Sequence, residues 1–526
     1  MRRVRRGTVA AVLAAVGATL LASQALAGPT APLGHSGRWI TDAKGRVAIL
    51  HGVNMVSKTP PYAPSAQGFG DDDAAFLQRY GFNAVRLGLI YKAIEPSPGA
   101  YDDAYLNDVA ATEAGLARHG VYSQLDFHQD MYNERYQGEG WPDWAVIDDG
   151  VPNTPLAGFP GNYFLNGALK RAFDNFWANR PGPGGVGLED RYAAAWEHVA
   201  ARFASARHTL GLDLMNEPWP GSAFLGCFTP GGCPDFDANA MVPFYKRVFA
   251  AIRAVDGGKL LWYEPNVLFN YGARSSVTGP GDRLAGFSFH VYCTQGGLQI
   301  PDYASESCDQ INNRVFDNAD AHAQATGDAL LLSEFGATDD LASIRRDVAL
   351  ADRHMVGWEY WHYCECLDPT TVGSGTQAIV VDPNQPPSGS NVKQAKLDVL
   401  SEPYPQVVAG TPMNYGFDPA TGRFSLAYSA KGPTGRNFAR PPSRKRKGKR
   451  SKARFRQTQV FIPADHYPNG YAATVRGGGI ASKRNAALLR VIACPGRTSV
   501  SVTVVPSRGR GHGDCRVTPR RKKRRQ

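Results

Sequence analysis

Two glutamates in this chain close apolar runs at points where the backbone must turn. Leu210-Gly-Leu-Asp-Leu-Met-Asn216-Glu217-Pro218 ends on one, and Leu330-Leu-Leu-Ser-Glu334-Phe-Gly336 carries another 117 residues later. A pair of carboxyls can cleave a glycosidic bond. One, protonated, donates to the leaving oxygen; the other, ionised, attacks the anomeric carbon, and retention of configuration needs them about 5–5.5 Å apart. Carboxylate type alone does not assign the roles; analogy with barrels of the kind described below would make Glu217 the acid/base and Glu334 the nucleophile. Arg86 and Tyr292 are expected to bond the charged form of Glu334 and hold its pKa down, and the negative Glu334 is expected to raise Glu217. Asn216 is expected to bond a sugar hydroxyl, and Trp361 to stack beneath a sugar ring.

These residues need a frame. Eight short apolar runs alternate with helical stretches: Ala48–Met55, Ala84–Tyr91, Tyr122–Asp130, Leu210–Asn216, Lys259–Pro265, Gly286–Tyr292, Ala329–Phe335 and Val356–Tyr363. Near-continuous apolar runs are what parallel strands buried on both faces require. The intervening helices are predicted at Asp72–Tyr80, Tyr105–His119, Glu189–Ser205, Met241–Val255, Asp309–Ala325 and Leu341–Met355. Eight such units fit an α/β (β/α)8 TIM barrel, whose active site lies at the C-terminal ends of its strands. A doubly wound sheet is the alternative, but no Gly-rich phosphate loop follows the first strand. Polar residues at the predicted strand ends are His51, Asn54, Lys58, Arg86, Asp126, His128, Asp130, Asn216, Glu217, Glu264, His290, Tyr292, Glu334 and Trp361.

Beyond about residue 400 the helical pattern fades. Phe424–Tyr428, Thr458–Ile462, Ala472–Arg476, Leu488–Ala493 and Ser499–Val505 read as short strands of a C-terminal β-sandwich domain. The expected division is a signal peptide over 1–27, the catalytic barrel over 28–395 and the sandwich over 396–526.

The 526 residues carry a net charge of +11, which invites a nucleic-acid reading. That charge is local. Nine basic residues fall between Arg444 and Arg456, and six between Arg520 and Arg525. They exceed the net charge, so the remaining chain is mildly acidic and offers no basic groove for a nucleic-acid backbone. The basic loop and tail read as solvated segments, or as contacts to anionic lipid or cell envelope. No nucleic-acid partner is expected, and a monomer is.

Arg2, Arg3, Arg5 and Arg6, the apolar run Thr8 to Leu21 and Ala25-Leu26-Ala27 form a secretory signal. The protein is expected to be secreted, with Gly28 as its first mature residue; retention of the signal segment as an anchor is the alternative. Eight cysteines in an exported chain suggest disulfides. Cys227–Cys233 and Cys494–Cys515 are the expected pairs. Cys293, Cys308, Cys364 and Cys366 admit several pairings. His362-Tyr-Cys364-Glu-Cys366 resembles half a zinc site but lacks a second ligand pair, so no metal is assigned.

The ensemble resembles glycoside hydrolase family 5, and within it the endoglycoceramidase group. The resemblance is carried by His51-Gly-Val-Asn-Met-Val-Ser-Lys58, Val85-Arg86-Leu-Gly, Asp126-Phe-His128-Gln-Asp130, Asn216-Glu217-Pro-Trp219, His290-Val-Tyr292, Ser333-Glu334-Phe-Gly and Glu359-Tyr-Trp361. Asp-Phe-His-Gln-Asp and Val-Asn-Met-Val-Ser-Lys narrow it beyond the wider family. It implies retaining hydrolysis of the β-linkage between an oligosaccharide and ceramide, with Glu217 and Glu334 as the catalytic pair. It also implies sugar contacts from Lys58, His128, Asp130, Asn216, Tyr292 and Trp361, and no cofactor. Arg86 and His290 complete the expected substrate-binding set. The glycolipid would be met at a membrane or micelle surface. Alternatives are a β-glycosidase acting on a soluble β-glucan or a steryl or simple glucoside, and an inactive barrel that binds the envelope.

The long segment Met131 to Leu188 follows the third strand. It holds Trp141, Trp144, Phe159, Tyr163, Phe164, Phe173, Phe176 and Trp177. It is expected either to wall an apolar groove for acyl chains or to pack onto the barrel. The loop Trp219 to Pro234 is expected beside the acid/base.

Overall fold

The computed structural model describes residues 27–292, 300–439 and 456–517. The predicted signal segment lies almost wholly outside them, as do Cys293, nearly all of the basic loop and the basic tail.

Eight parallel strands close into a barrel. They are β1 (His51–Met55), β2 (Ala84–Ile90), β3 (Tyr122–His128), β4 (Thr209–Asp213), β5 (Leu261–Tyr263), β6 (Ala285–Val291), β7 (Ala329–Gly336) and β8 (Gly357–Trp361). Closure runs through β8 and β1, with Trp358 opposite His51 and Tyr360 opposite Val53. Seven of the strands are buried along their whole length, and β7 up to its last residue, as the unbroken apolar runs require. All six predicted helices form, each displaced by at most two residues at either end.

The C-terminal region is a sandwich of two sheets. In one, Tyr404–Val408, Gln457–Phe461, Leu488–Ala493 and Gly478–Ile480 pair in that order. In the other, Thr411–Asp418, Arg423–Ser429, Ser499–Pro506, Tyr471–Arg476 and His512–Gly513 pair in that order. One core joins them, with Val408, Val460 and Val491 from the first meeting Phe424, Leu426, Val475 and Val502 from the second.

One boundary needs correction. The sequence places the start of the barrel at residue 28, yet Leu33–Ser36, Trp39–Asp42 and Val47–Ala48 extend the first sandwich sheet, where Val47 pairs with Val408 and Ala48 with Val407. Runs of four, four and two residues carry no readable period, and their partner lies some 360 residues away. The excursion has a use. Leu33 and Ile40 pack against Ala84, Tyr122, Leu210 and Ala329 at the starts of the barrel strands and plug the barrel's foot. The opposite mouth is left for the site.

Among the described residues Cys227–Cys233 and Cys494–Cys515 are paired, as expected, and so is Cys364–Cys366. Cys308 is disulfide-bonded as well. His362 accepts the Val56 N–H at Nε2, which leaves Nδ1 to donate to the Cys364 carbonyl. The ring therefore has no lone pair left for a metal. Among the described residues no helix is long and apolar enough to cross a membrane.

Candidate active site

Both glutamates reach the barrel mouth. Glu334 is set in β7 itself. Glu217 follows β4 by four residues and holds a left-handed backbone, φ 43°. A non-glycine residue there is strained by about 1–3 kcal/mol and persists only where its surroundings dictate it. Here Glu264 Oε2 accepts the Glu217 N–H at 2.8 Å, and the Glu217 carbonyl accepts from the Gln129 side-chain amide at 3.2 Å. The two carboxyls then converge: an oxygen of Glu217, one of Glu334 and a ring nitrogen of His290 all lie within 4.8 Å of one another.

Each acid has its own partners. Glu217 Oε1 meets His290 Nδ1 at 2.9 Å and accepts from Asn270 Nδ2 at 2.5 Å. Glu334 accepts from Tyr292 OH at 2.8 Å on Oε1 and from Arg86 Nη1 at 3.0 Å on Oε2. Arg86 is fully buried and organises the floor. Its nitrogens also bond Asp213, Asn216 and Glu264 at 2.9, 3.0 and 2.8 Å, with Asp126 Oδ1 at 3.0 Å.

The expected contacts to Glu334 are present, but the expected pKa direction is reversed. Burial raises the Glu334 carboxyl above its ordinary value, and Glu217 adds to that; the lowering by His290 and Arg86 does not cancel it. His290 is shifted the other way: burial would lower it, but Glu264 and Glu334 hold it well above its ordinary value, as a cation.

A second cluster lies beside the pair. Lys58 Nζ contacts Asp130 at 2.6 Å, Thr370 Oγ1 at 2.7 Å and Asp368 at 3.3 Å, and sits 4.5 Å from the Trp361 ring centre. His128 stacks on Trp361 and bonds Asp126 at 2.8 Å. Burial opposes the charged ring, but Asp126 and Asp130 push His128 up to about 9. The Trp361 indole donates to Gln377 at 2.9 Å, which fixes its plane.

These groups open on a cleft of about 720 Å³. Lys58, Asp130, Glu217, Tyr292, Glu334 and Trp361 line it. Arg86, His128, Asn216 and His290 stand behind that wall, all at most 2% exposed. Asn216 gives its oxygen to Arg86 and one N–H to the Gln129 carbonyl, so a single N–H remains for a sugar hydroxyl. His51 does not join them. It begins β1, stacked between Trp358 and Tyr404 at the barrel's foot, and burial holds its pKa well below the ordinary value. The predicted strand began three residues too early, which put His51 near the wrong end.

Sequence reasoning missed Asn270 and Tyr271 in the turn after β5, and Asp368, Thr370 and Gln377 in the loop after β8. None ends one of the eight predicted strands. Of the eight aromatics in the insertion, Trp141, Tyr163, Phe173 and Phe176 are buried against the barrel, and Phe159 lines the cleft. The insertion is therefore mainly packing, with Phe159 and Pro160 as its apolar contribution to the wall. Trp219, two residues after Glu217, stacks on Phe224, just ahead of the short loop that Cys227–Cys233 closes.

A parallel barrel with two carboxyls meeting across its mouth has the arrangement that a glycoside hydrolase needs. The chain belongs to glycoside hydrolase family 5: the family model described as cellulase (glycosyl hydrolase family 5) matches residues 42–366, and that of the family 5 C-terminal domain matches residues 403–504. It is 31% identical to endoglycoceramidase I of Rhodococcus hoagii over 88% of this chain and 86% of that protein. It is 27% identical to an endoglycoceramidase of Cyanea nozakii over 83% and 85%. Among solved structures it resembles endo-glycoceramidase II from Rhodococcus sp. as its lactosyl-enzyme intermediate, with TM-score 0.69, 28% identity and coverage of 89% of this chain and 99% of that one.

Proposed function

We propose that this protein is a retaining endoglycosidase that releases the oligosaccharide from ceramide in glycosphingolipids. In the first step a Glu334 oxygen attacks the anomeric carbon. The bond to the ceramide oxygen breaks, and Glu217 passes its proton to that oxygen. In the second, a water molecule gives a proton to Glu217 and attacks the same carbon, freeing Glu334 and the oligosaccharide. Arg86 and Tyr292 bond the ionised form of Glu334, while His290 and Asn270 orient Glu217. Lys58, Asp130 and Trp361 line the cleft beside the pair, where a sugar ring would rest.

The carboxyl oxygens within 4.8 Å carry the reaction class, because an inverting pair stands wider, about 6.5–9.5 Å apart, to admit a water. Support for the substrate comes from likeness along most of the chain to endoglycoceramidases, one of them solved with ganglioside GM3. The proposal includes export, supported by the amino-terminal signal pattern and the disulfides, and action at a micelle or membrane surface.

The purified protein is to be incubated with a detergent-dispersed fluorescent glycosphingolipid and, separately, with a soluble β-glucan. Release of intact oligosaccharide and ceramide is expected. Cleavage of the glucan alone would overturn the substrate assignment, and inertness toward every β-glycoside would overturn the enzyme reading.

A further inference from the structure

Glu264 ends the β5 run and reaches both halves of the pair from behind the cleft wall, Glu217 directly and Glu334 through Arg86. It is 2% exposed. Its Oε2 accepts the backbone N–H of Glu217 at 2.8 Å. Its Oε1 accepts from Arg86 Nη2 at 2.8 Å and lies 3.2 Å from His290 Nε2. One carboxylate thus fixes the left-handed backbone of one acid. It also fixes the two cations that meet the carboxyls, His290 at Glu217 and Arg86 at Glu334. Glu264 is itself clamped: Tyr245 OH donates to its carbonyl at 2.8 Å and accepts its N–H at 3.2 Å.

An amide cannot do both jobs. Glutamine has one acceptor oxygen. Arg86 and His290 would draw that oxygen to their side, leaving an NH₂ group against the Glu217 N–H, donor facing donor. The nucleophile's support would survive, and the acid/base would lose its anchor.

We propose that Glu264 is a positioning residue for proton donation, holding Glu217 and its His290 partner so that the Glu217 carboxyl meets the glycosidic oxygen as the bond to the aglycone breaks. This rests on the reading of Glu217 as the acid/base. The consequence depends on the leaving group. A ceramide alkoxide must be protonated as it departs, whereas a dinitrophenolate leaves without a proton.

The test compares wild type, Glu264→Gln and Glu217→Ala on dispersed fluorescent lactosylceramide and on dinitrophenyl β-lactoside. The readout is kcat/KM, which reports the step in which the aglycone leaves. Glu264→Gln is expected to lose at least about 100-fold on the glycolipid, the scale of general-acid catalysis, and to stay within about 5-fold of wild type on the aryl lactoside. Equal losses on both substrates, with Glu217→Ala still selective, would overturn the proposal. A Glu217→Ala enzyme that does not discriminate would overturn the acid/base assignment instead. Should Glu264→Gln not fold, Glu264→Asp carries the same comparison. It keeps the charge but is one methylene too short to span both contacts, so a selective loss supports the role and an even loss overturns it.

Discussion

Tyr292 donates its phenol hydroxyl to Oε1 of Glu334 at 2.8 Å, from the residue just past the end of β6, the strand next to the one that carries the glutamate. The bond favours the ionised carboxyl, which burial opposes. The sign follows directly. On the proposed mechanism Glu334 must be ionised to attack; its pKa is raised, and removing Tyr292's hydroxyl raises it further. Tyr292→Phe should therefore move the acidic limb of the kcat/KM profile to higher pH, as that limb reports the essential base of the free enzyme. A limb that stays in place or moves to lower pH would contradict this.

Arg86 is the shared counter-ion of Asp126, Asp213, Glu264 and Glu334, all within 3.0 Å of its nitrogens and nearly or fully buried. Removing one member of a buried charge cluster leaves the rest uncompensated, at a cost of about 3–5 kcal/mol. Arg86→Ala should lose that much in urea denaturation, along with activity. Arg86→Lys should rescue it poorly, since a single ammonium cannot match a planar fork with four acids around it. A loss below about 1 kcal/mol would mean that the cluster is neutralised in some other way.

Asp347 sits at the far edge of the cleft, accepting from Asn312 at 2.6 Å. Burial pushes its carboxyl up to about 7, against the lowering by Arg346 and Asn312. The folded state therefore binds the proton more tightly than the unfolded state, and stability is lost as pH rises from the ordinary carboxylate value through about 7. Asparagine at this position has nothing to ionise and keeps an acceptor for Asn312. The stability of Asp347→Asn relative to wild type should thus improve from about pH 4 to about pH 8, read as a difference in Tm at each pH. A difference that is flat with pH would contradict the buried proton.

The barrel was legible because parallel strands buried on both faces leave continuous apolar runs, and Glu217 and Glu334 were legible because each closes such a run. The plug formed by Leu33 and Ile40 was not, since strands of two to four residues show no period and their partner strand lies far along the chain. Asn270 and Thr370 were missed for a related reason: they sit in turns whose direction is set by packing, not by pattern. The direction of the Glu334 shift was misjudged because its partners can be named from sequence but the depth of burial cannot, and burial outweighs them.

The central claim is that Glu334 bonds to the sugar while Glu217 supplies the proton. It is tested most directly by trapping the covalent intermediate with an activated 2-deoxy-2-fluoro-β-lactoside and mapping the adduct by peptide mass spectrometry. The account predicts one fluoroglycosyl group per chain, on the peptide containing Glu334. An adduct on Glu217, or inactivation by hydrolysis-competent enzyme that leaves Glu334 unmodified, would contradict it.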